Sequence, residues 1–227
     1  MTTDALEPTN VSSEPPRPLI PFEDPAIPGF WARVGAMFQL LFAEPFALFE
    51  RAPHGEGLGA PWRFLLLLSV PALLLAGLIL AALGFVAVLG AVADRRAPWL
   101  ALLPVALAAL LALGPLFLFI GMVIGGALNH ACLWLWGGTR RGPGLGQTIR
   151  AAAYAHAFIQ LAGWIPYLGL LVQLAGMVWL GMGLARLHRT ETWRGICAVF
   201  TPLLLGCACL LAALALVPLA ILALGPR

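Results

Sequence analysis

Five polar side chains stand in otherwise lipid-soluble sequence: Asn129 and His130 in one apolar run, and Tyr154, His156 and Gln160 in the next. An imidazole can gain or lose a proton near neutrality. The phenol and the amides add hydrogen-bond donors and acceptors. A polar side chain facing lipid is costly, so all five are expected to face the interior of a helix bundle. With a second span ending near Trp136 and a third beginning near Thr148, His130 lies six residues before the one end and His156 eight after the other start. Both then sit roughly 9–12 Å from the same membrane edge, at ~1.5 Å per residue. The expected arrangement is an intramembrane polar cluster of Asn129, His130, Tyr154, His156 and Gln160, with the two histidines bonding one another.

Nothing in the chain adds catalytic partners to that cluster. Two histidines leave a zinc site incomplete, so no metal is expected. Cys132, Cys197, Cys207 and Cys209 lack zinc-ligand spacing and read as small buried thiols. There is no HExxH, no GxSxG and no phosphate loop, since Gly142, Gly144 and Gly146 are not followed by Lys-Ser or Lys-Thr. Ser69 is the only serine beyond residue 13, which argues against a serine nucleophile. The chain is therefore expected not to be an enzyme and to carry no cofactor.

The elements that hold these residues follow from composition. Of 227 residues, 61% are hydrophobic and 10% charged, a balance that excludes an ordinary soluble domain. The net charge of +3 is too small and too scattered for a nucleic-acid partner. All 13 basic residues are arginines, which together with the abundant Ala, Leu and Gly points to GC-rich coding and a bacterial inner membrane.

Residues 1–28 are rich in proline and acids and are expected to form a disordered arm. With no basic segment and short apolar run near Met1, no cleavable signal is expected, and the arm stays cytoplasmic. Residues 29–61 hold a helical stripe of Phe30, Trp31, Val34, Met37, Phe38, Leu41 and Phe42, a second piece opened by Pro45, and a Gly-containing linker. The stripe suits either the membrane surface, with its aromatics at headgroup depth, or packing on the chain's own helices.

Residues 62–227 form the membrane domain. Charge-free runs cover 64–93, 97–139 and 151–185, and a last apolar run follows the basic turn 186–194. About 20 residues suffice for one span. The run 97–139 could hold one span, or two broken at Gly114-Pro115, and charge bias decides between them. With one span, from Arg51 onward the side shared with the N-terminus holds eight arginines and the other side three. Arginine-rich short turns stay cytoplasmic. The expected fold class is an all-α integral membrane protein with five transmembrane helices at about 64–93, 113–136, 148–165, 168–186 and 195–222. Its N-terminus is cytoplasmic and its C-terminus outside. Gly121 and Gly125 form a GxxxG step that serves either close packing within the bundle or self-association.

The block from Gly137 to Leu205 resembles the Yip-domain proteins, membrane proteins named for interacting with Ypt/Rab GTPases. The resemblance rests on the Gly-rich basic turn, Ala-Tyr-Ala at 153–155, the Ile165-Pro166…Gly169 break, and Gly183-Leu184 ahead of His188 and Arg194. Glu44-Pro45-Phe46 with Phe49 is similar to the short helix before the first span of prokaryotic members. The Asp-Leu-Tyr-Gly-Pro motif of eukaryotic relatives is absent, and Phe158 stands where many relatives carry proline. The resemblance implies five spans and a cytoplasmic N-terminus; with no catalytic constellation in the chain, the favoured expectation is a non-enzymatic scaffold that organises the bilayer or binds other membrane proteins. The alternative is a permease or permease subunit with a polar path between the second and third spans.

Overall fold

A computed structural model describes residues 18–54, 56–94, 103–140, 142–163, 165 and 167–224. Seven α-helices follow in order: α1 Phe30–Ala43, α2 Ala47–Arg51, α3 Gly59–Asp94, α4 Leu103–Leu135, α5 Leu145–Gly163, α6 Leu168–Leu187 and α7 Thr192–Leu224, with a 3₁₀ turn Ala52–His54 after α2. No strand occurs among the described residues. Backbone in hydrocarbon must satisfy its own hydrogen bonds, which makes the helix the natural element for such apolar runs.

Four helices are long and apolar enough to cross a membrane, over Gly59–Gly90, Ala112–Leu135, Leu168–Leu187 and Thr192–Leu216. Their outward faces are lined by exposed side chains such as Leu78, Phe85, Phe117, Leu204 and Leu211. The chain is thus a helical, multi-pass membrane protein. α4 is one continuous helix through Gly114-Pro115. Pro115 removes one backbone donor. Proline is tolerated in membrane helices where neighbours and local adjustment re-satisfy the freed groups. Gly114 faces Leu73 of α3, whose Cδ2 would meet a Cβ there at an ordinary contact distance of 3.5 Å.

α5 differs from the other long helices. It is enclosed by α3, α4 and α6, and Ala151, Ala152, Ala153, Tyr154 and Ala155 are all fully buried. Alanines at successive positions let three helices approach it at once. α5 was expected as the span 148–165. It falls outside the four helices apolar enough to be recognised alone, because Gln147, Thr148, Arg150, His156 and Gln160 lower its hydropathy.

The polar arm ends earlier than expected. Residues 1–17 lie outside the described residues, but residues 18–28 pack on the bundle. Ile20 is buried and the Phe22 ring packs tilted against Phe64 of α3, with centroids 5.0 Å apart. Backbone bonds Glu23 N–H to Ile20 O (2.8 Å) and Ile27 N–H to Asp24 O (3.3 Å) shape the segment into successive turns. The prolines there restrict the unfolded chain, and Ile20 and Phe22 supply the apolar burial that the polar composition hides.

α1 divides its stripe between two surroundings. Val34, Met37 and Leu40 are buried, and Phe38 meets Phe158 of α5 edge-on at 5.5 Å. Trp31 and Phe42 are 73% and 81% exposed. α2 docks on α6: a Cβ at Gly183 would overlap the Phe49 ring, Phe49 lies 5.3 Å from Trp179, and the Arg186 guanidinium sits 3.9 Å over Phe46.

The close helix approaches use glycines other than the GxxxG pair. A Cβ at Gly126 would come 2.8 Å from the Ile149 backbone, and one at Gly181 2.7 Å from that of Ile196. Gly121 and Gly125 meet nothing within 4 Å, so they do not serve packing within the bundle. Cys207 and Cys209 are exposed on the outward face of α7 and are not the buried thiols expected.

Candidate functional site

Two polar clusters form on α5, and both recruit partners far away in sequence. Arg150 and Tyr154 are four residues apart and therefore share one face of the helix. The Arg150 guanidinium is nearly buried, and all five of its N–H donors find acceptors. Nη2 donates to Glu23 Oε1 (2.5 Å) and Oε2 (2.7 Å), Nε to Ala52 O (3.1 Å), and Nη1 to Glu56 O (2.8 Å) and Gly57 O. Tyr154 Oη–H donates to the same Glu23 Oε1 at 2.6 Å. Arginine suits this place because its planar fork reaches several acceptors at once and keeps its charge. One α5 side chain thus gathers the N-terminal segment, the start of the 3₁₀ turn and the linker before α3.

The second cluster centres on Thr148, which is fully buried. Its hydroxyl lies 2.9 Å from His130 Nδ1 on α4, 2.8 Å from His188 Nε2 at the end of α6, and 3.4 Å from Gly144 O. The two imidazole centroids are 5.5 Å apart. A hydroxyl has one proton to give and two lone pairs, so it can serve both imidazoles and join three helices. His188 caps the C-terminus of α6, where its backbone N–H bonds Leu184 O at 3.0 Å. Burial first, and nearby His130 second, push its imidazole down from the usual 6.5 to about 4. At neutral pH it is uncharged and acts as a hydrogen-bonding wedge. His188 Nδ1 is buried without a hydrogen-bond partner among the described residues.

The expected five-residue cluster is therefore divided. His130 bonds Thr148 and not His156; Tyr154 bonds Glu23. His156 is partly buried on α5, and no side-chain hydrogen bond to it occurs among the described residues. The expected bond between the two histidines is not formed. His130 sits near the start of α5, where Thr148 is the nearest polar group on the facing helix. Asn129 is buried, and likewise no side-chain hydrogen bond involves it among the described residues. Gln160 lies beyond the other residues, near the α5–α6 turn. There its Oε1 and that of Gln173 would each lie 3.8 Å from a Cβ at Gly163. The expected turn at Gly163–Gly169 separates α5 from α6, although Trp164 and Pro166 themselves lie outside the described residues.

Glu23, Arg150, Thr148 and His188 complete these clusters and were not anticipated. The readable signal was the Arg150–Tyr154 spacing, which sets a permanent charge and a phenol on one face of an apolar helix. Nothing local marked Glu23 as their partner. No group of three or more His, Cys, Asp or Glu side chains suited to a metal occurs among the described residues. No protein-family model, curated protein or solved structure matches the chain.

Proposed function

We propose that the chain is a non-enzymatic membrane scaffold of the Yip-domain kind, residing in a bacterial inner membrane. The five long helices α3–α7 cross the bilayer, and α5 crosses it inside a sheath of its neighbours. α1, α2 and the preceding turns form a rigid cap on the cytoplasmic face that holds partner membrane proteins. One observation carries this reading: Arg150 commits all five of its donors to the cap and its linker. The most polar helix of the bundle thus spends its charge on fixing the chain's own N-terminal segment, as a scaffold requires and a solute path does not.

The test is reconstitution of the intact chain into sealed vesicles, with small-solute flux measured beside the native chain's association with co-purified membrane proteins. The expected result is flux equal to that of empty vesicles, and association that is lost when Arg150 is replaced by Met. Solute flux that depends on His130, Thr148 or His188 would replace the scaffold reading with the permease.

A further inference from the structure

The turns joining α4 to α5 and α6 to α7 meet at one end of the bundle. Arg194 Nη1 donates to Gly137 O at 3.0 Å, and Trp136 Nε1 donates to Thr201 Oγ1 at 3.1 Å. Between the turns lies a cavity of about 450 Å³ whose lining includes Arg140, His188, Arg189, Thr190, Glu191 and Arg194. Three guanidiniums face one carboxylate there, and that carboxylate is already engaged: Glu191 Oε2 accepts from Trp193 Nε1 at 2.6 Å and from Arg194 Nε at 3.1 Å. Neither Arg140 nor Arg189 pairs with a carboxylate among the described residues. His188 is fully buried in the cavity wall, with its unpartnered Nδ1 turned toward Gly142 of the α4–α5 turn.

We propose that this cleft binds a phosphate-bearing anion of the kind carried by an anionic phospholipid headgroup. Arginine matches phosphate because its donors are fixed in a fork complementary to the anion's oxygens. The volume falls within the range of small-ligand sites. Its position favours lipid as the source. Trp136 and Trp193 stand beside it with ring centroids 5.9 Å apart, and Trp134 is exposed nearby. Tryptophans gather at the depth of lipid headgroups, so the cleft opens where lipid phosphates lie. Arg194 holds the turns together, leaving Arg140 and Arg189 to grip the ligand. A bound headgroup would bridge the two turns and brace the end of the bundle that carries the Thr148 cluster.

The experiment uses the intact chain in mild detergent, offered phosphatidylglycerol or phosphatidylcholine, with bound lipid counted by native mass spectrometry. Phosphatidylglycerol is expected to be retained in preference to phosphatidylcholine. Combined Arg140→Gln and Arg189→Gln should lower its retention about tenfold, the equivalent of ~1.4 kcal/mol. Combined Arg140→Lys and Arg189→Lys should restore only part of it, since the charge returns without the fork. Both arginines are exposed and their side chains bond nothing else described, so the unfolding midpoint of the variants should match the native one. Retention that survives millimolar inorganic phosphate identifies the lipid headgroup as the source; displacement by phosphate assigns the same anion site to a soluble phosphate. Equal retention of the two lipids, or retention unchanged by the glutamine pair, would overturn the site.

Discussion

Arg150 is the residue on which the cap depends. Removing one partner of a buried ion pair typically costs about 3–5 kcal/mol, because the other charge is left unpaired. Arg150→Ala should therefore destabilise the chain by roughly that amount in detergent unfolding. Arg150→Lys should not restore it, since an ammonium has three donors where the site offers five acceptors. Equal stability of the lysine variant and the native chain would contradict the five-acceptor geometry. His188 gives a second residue-scale expectation, and its sign is fixed by its lowered pKa. Above about pH 6.5 the imidazole is neutral in both the folded and the unfolded chain. As pH falls toward about 4, the unfolded chain takes up a proton that the folded chain resists. Stability should thus fall across that window and level off below it. His188→Gln should flatten the part of the profile due to this group, and unfolding midpoints at pH 7 and pH 5 would show it. The sequence pointed to five inward-facing side chains on α4 and α5; Asn129 and Tyr154 are buried, His130, His156 and Gln160 are partly buried, and His130 and Tyr154 bond Thr148 and Glu23. It could not name Glu23 or His188 as partners, because those contacts span 131 and 40 residues.

Helix–helix seams make expectations of their own. Gly126→Ala and Gly183→Ala place a methyl group where Ile149 and Phe49 already lie. Each should cost about 1–3 kcal/mol by overpacking. Gly121→Ala and Gly125→Ala meet open space and should leave the unfolding midpoint unchanged. Comparable losses at all four positions would show that the seams are misassigned. A double-mutant cycle between His130→Ala and Thr148→Ala should show coupling of about 0.5–3 kcal/mol, whereas His130→Ala with His156→Ala should be additive. Helix existence was legible because apolar runs and charge clusters bound the helices, and the α5–α6 turn follows from the same pattern; extent was less so, since α4 begins at Leu103, ten residues before the expected 113. Which glycine faces a neighbour was not legible, since Gly121, Gly125 and Gly126 differ only in rotation about α4. The burial of α5 was equally hidden, as an alanine-rich helix reads alike whether protein or lipid surrounds it.

For the whole molecule, the decisive geometry is that Glu23, the α4–α5 turn and the α6–α7 turn lie at one end of the bundle. That arrangement agrees with one helix, not two, in the run 97–139. If this end faces the cytoplasm, Thr139→Cys in a chain without native cysteines should react with an impermeant reagent only from inside. Tyr167→Cys, at a position 91% exposed at the α5–α6 turn, should react only from outside. The reverse pattern would invert the orientation. Composition revealed the membrane class. It missed the docking of residues 18–28, because burial there rests on Ile20, Phe22 and one carboxylate within a stretch of prolines. The central claim is that this segment belongs to the folded bundle through the Glu23–Arg150–Tyr154 contacts. Hydrogen exchange of the full chain in lipid nanodiscs tests it most directly. The expected result is slow exchange at Glu23 and Ile27 in the native chain, where both amides are bonded, and fast exchange there once Arg150 is replaced by Met. Fast exchange across residues 18–28 in the native chain itself would contradict the claim.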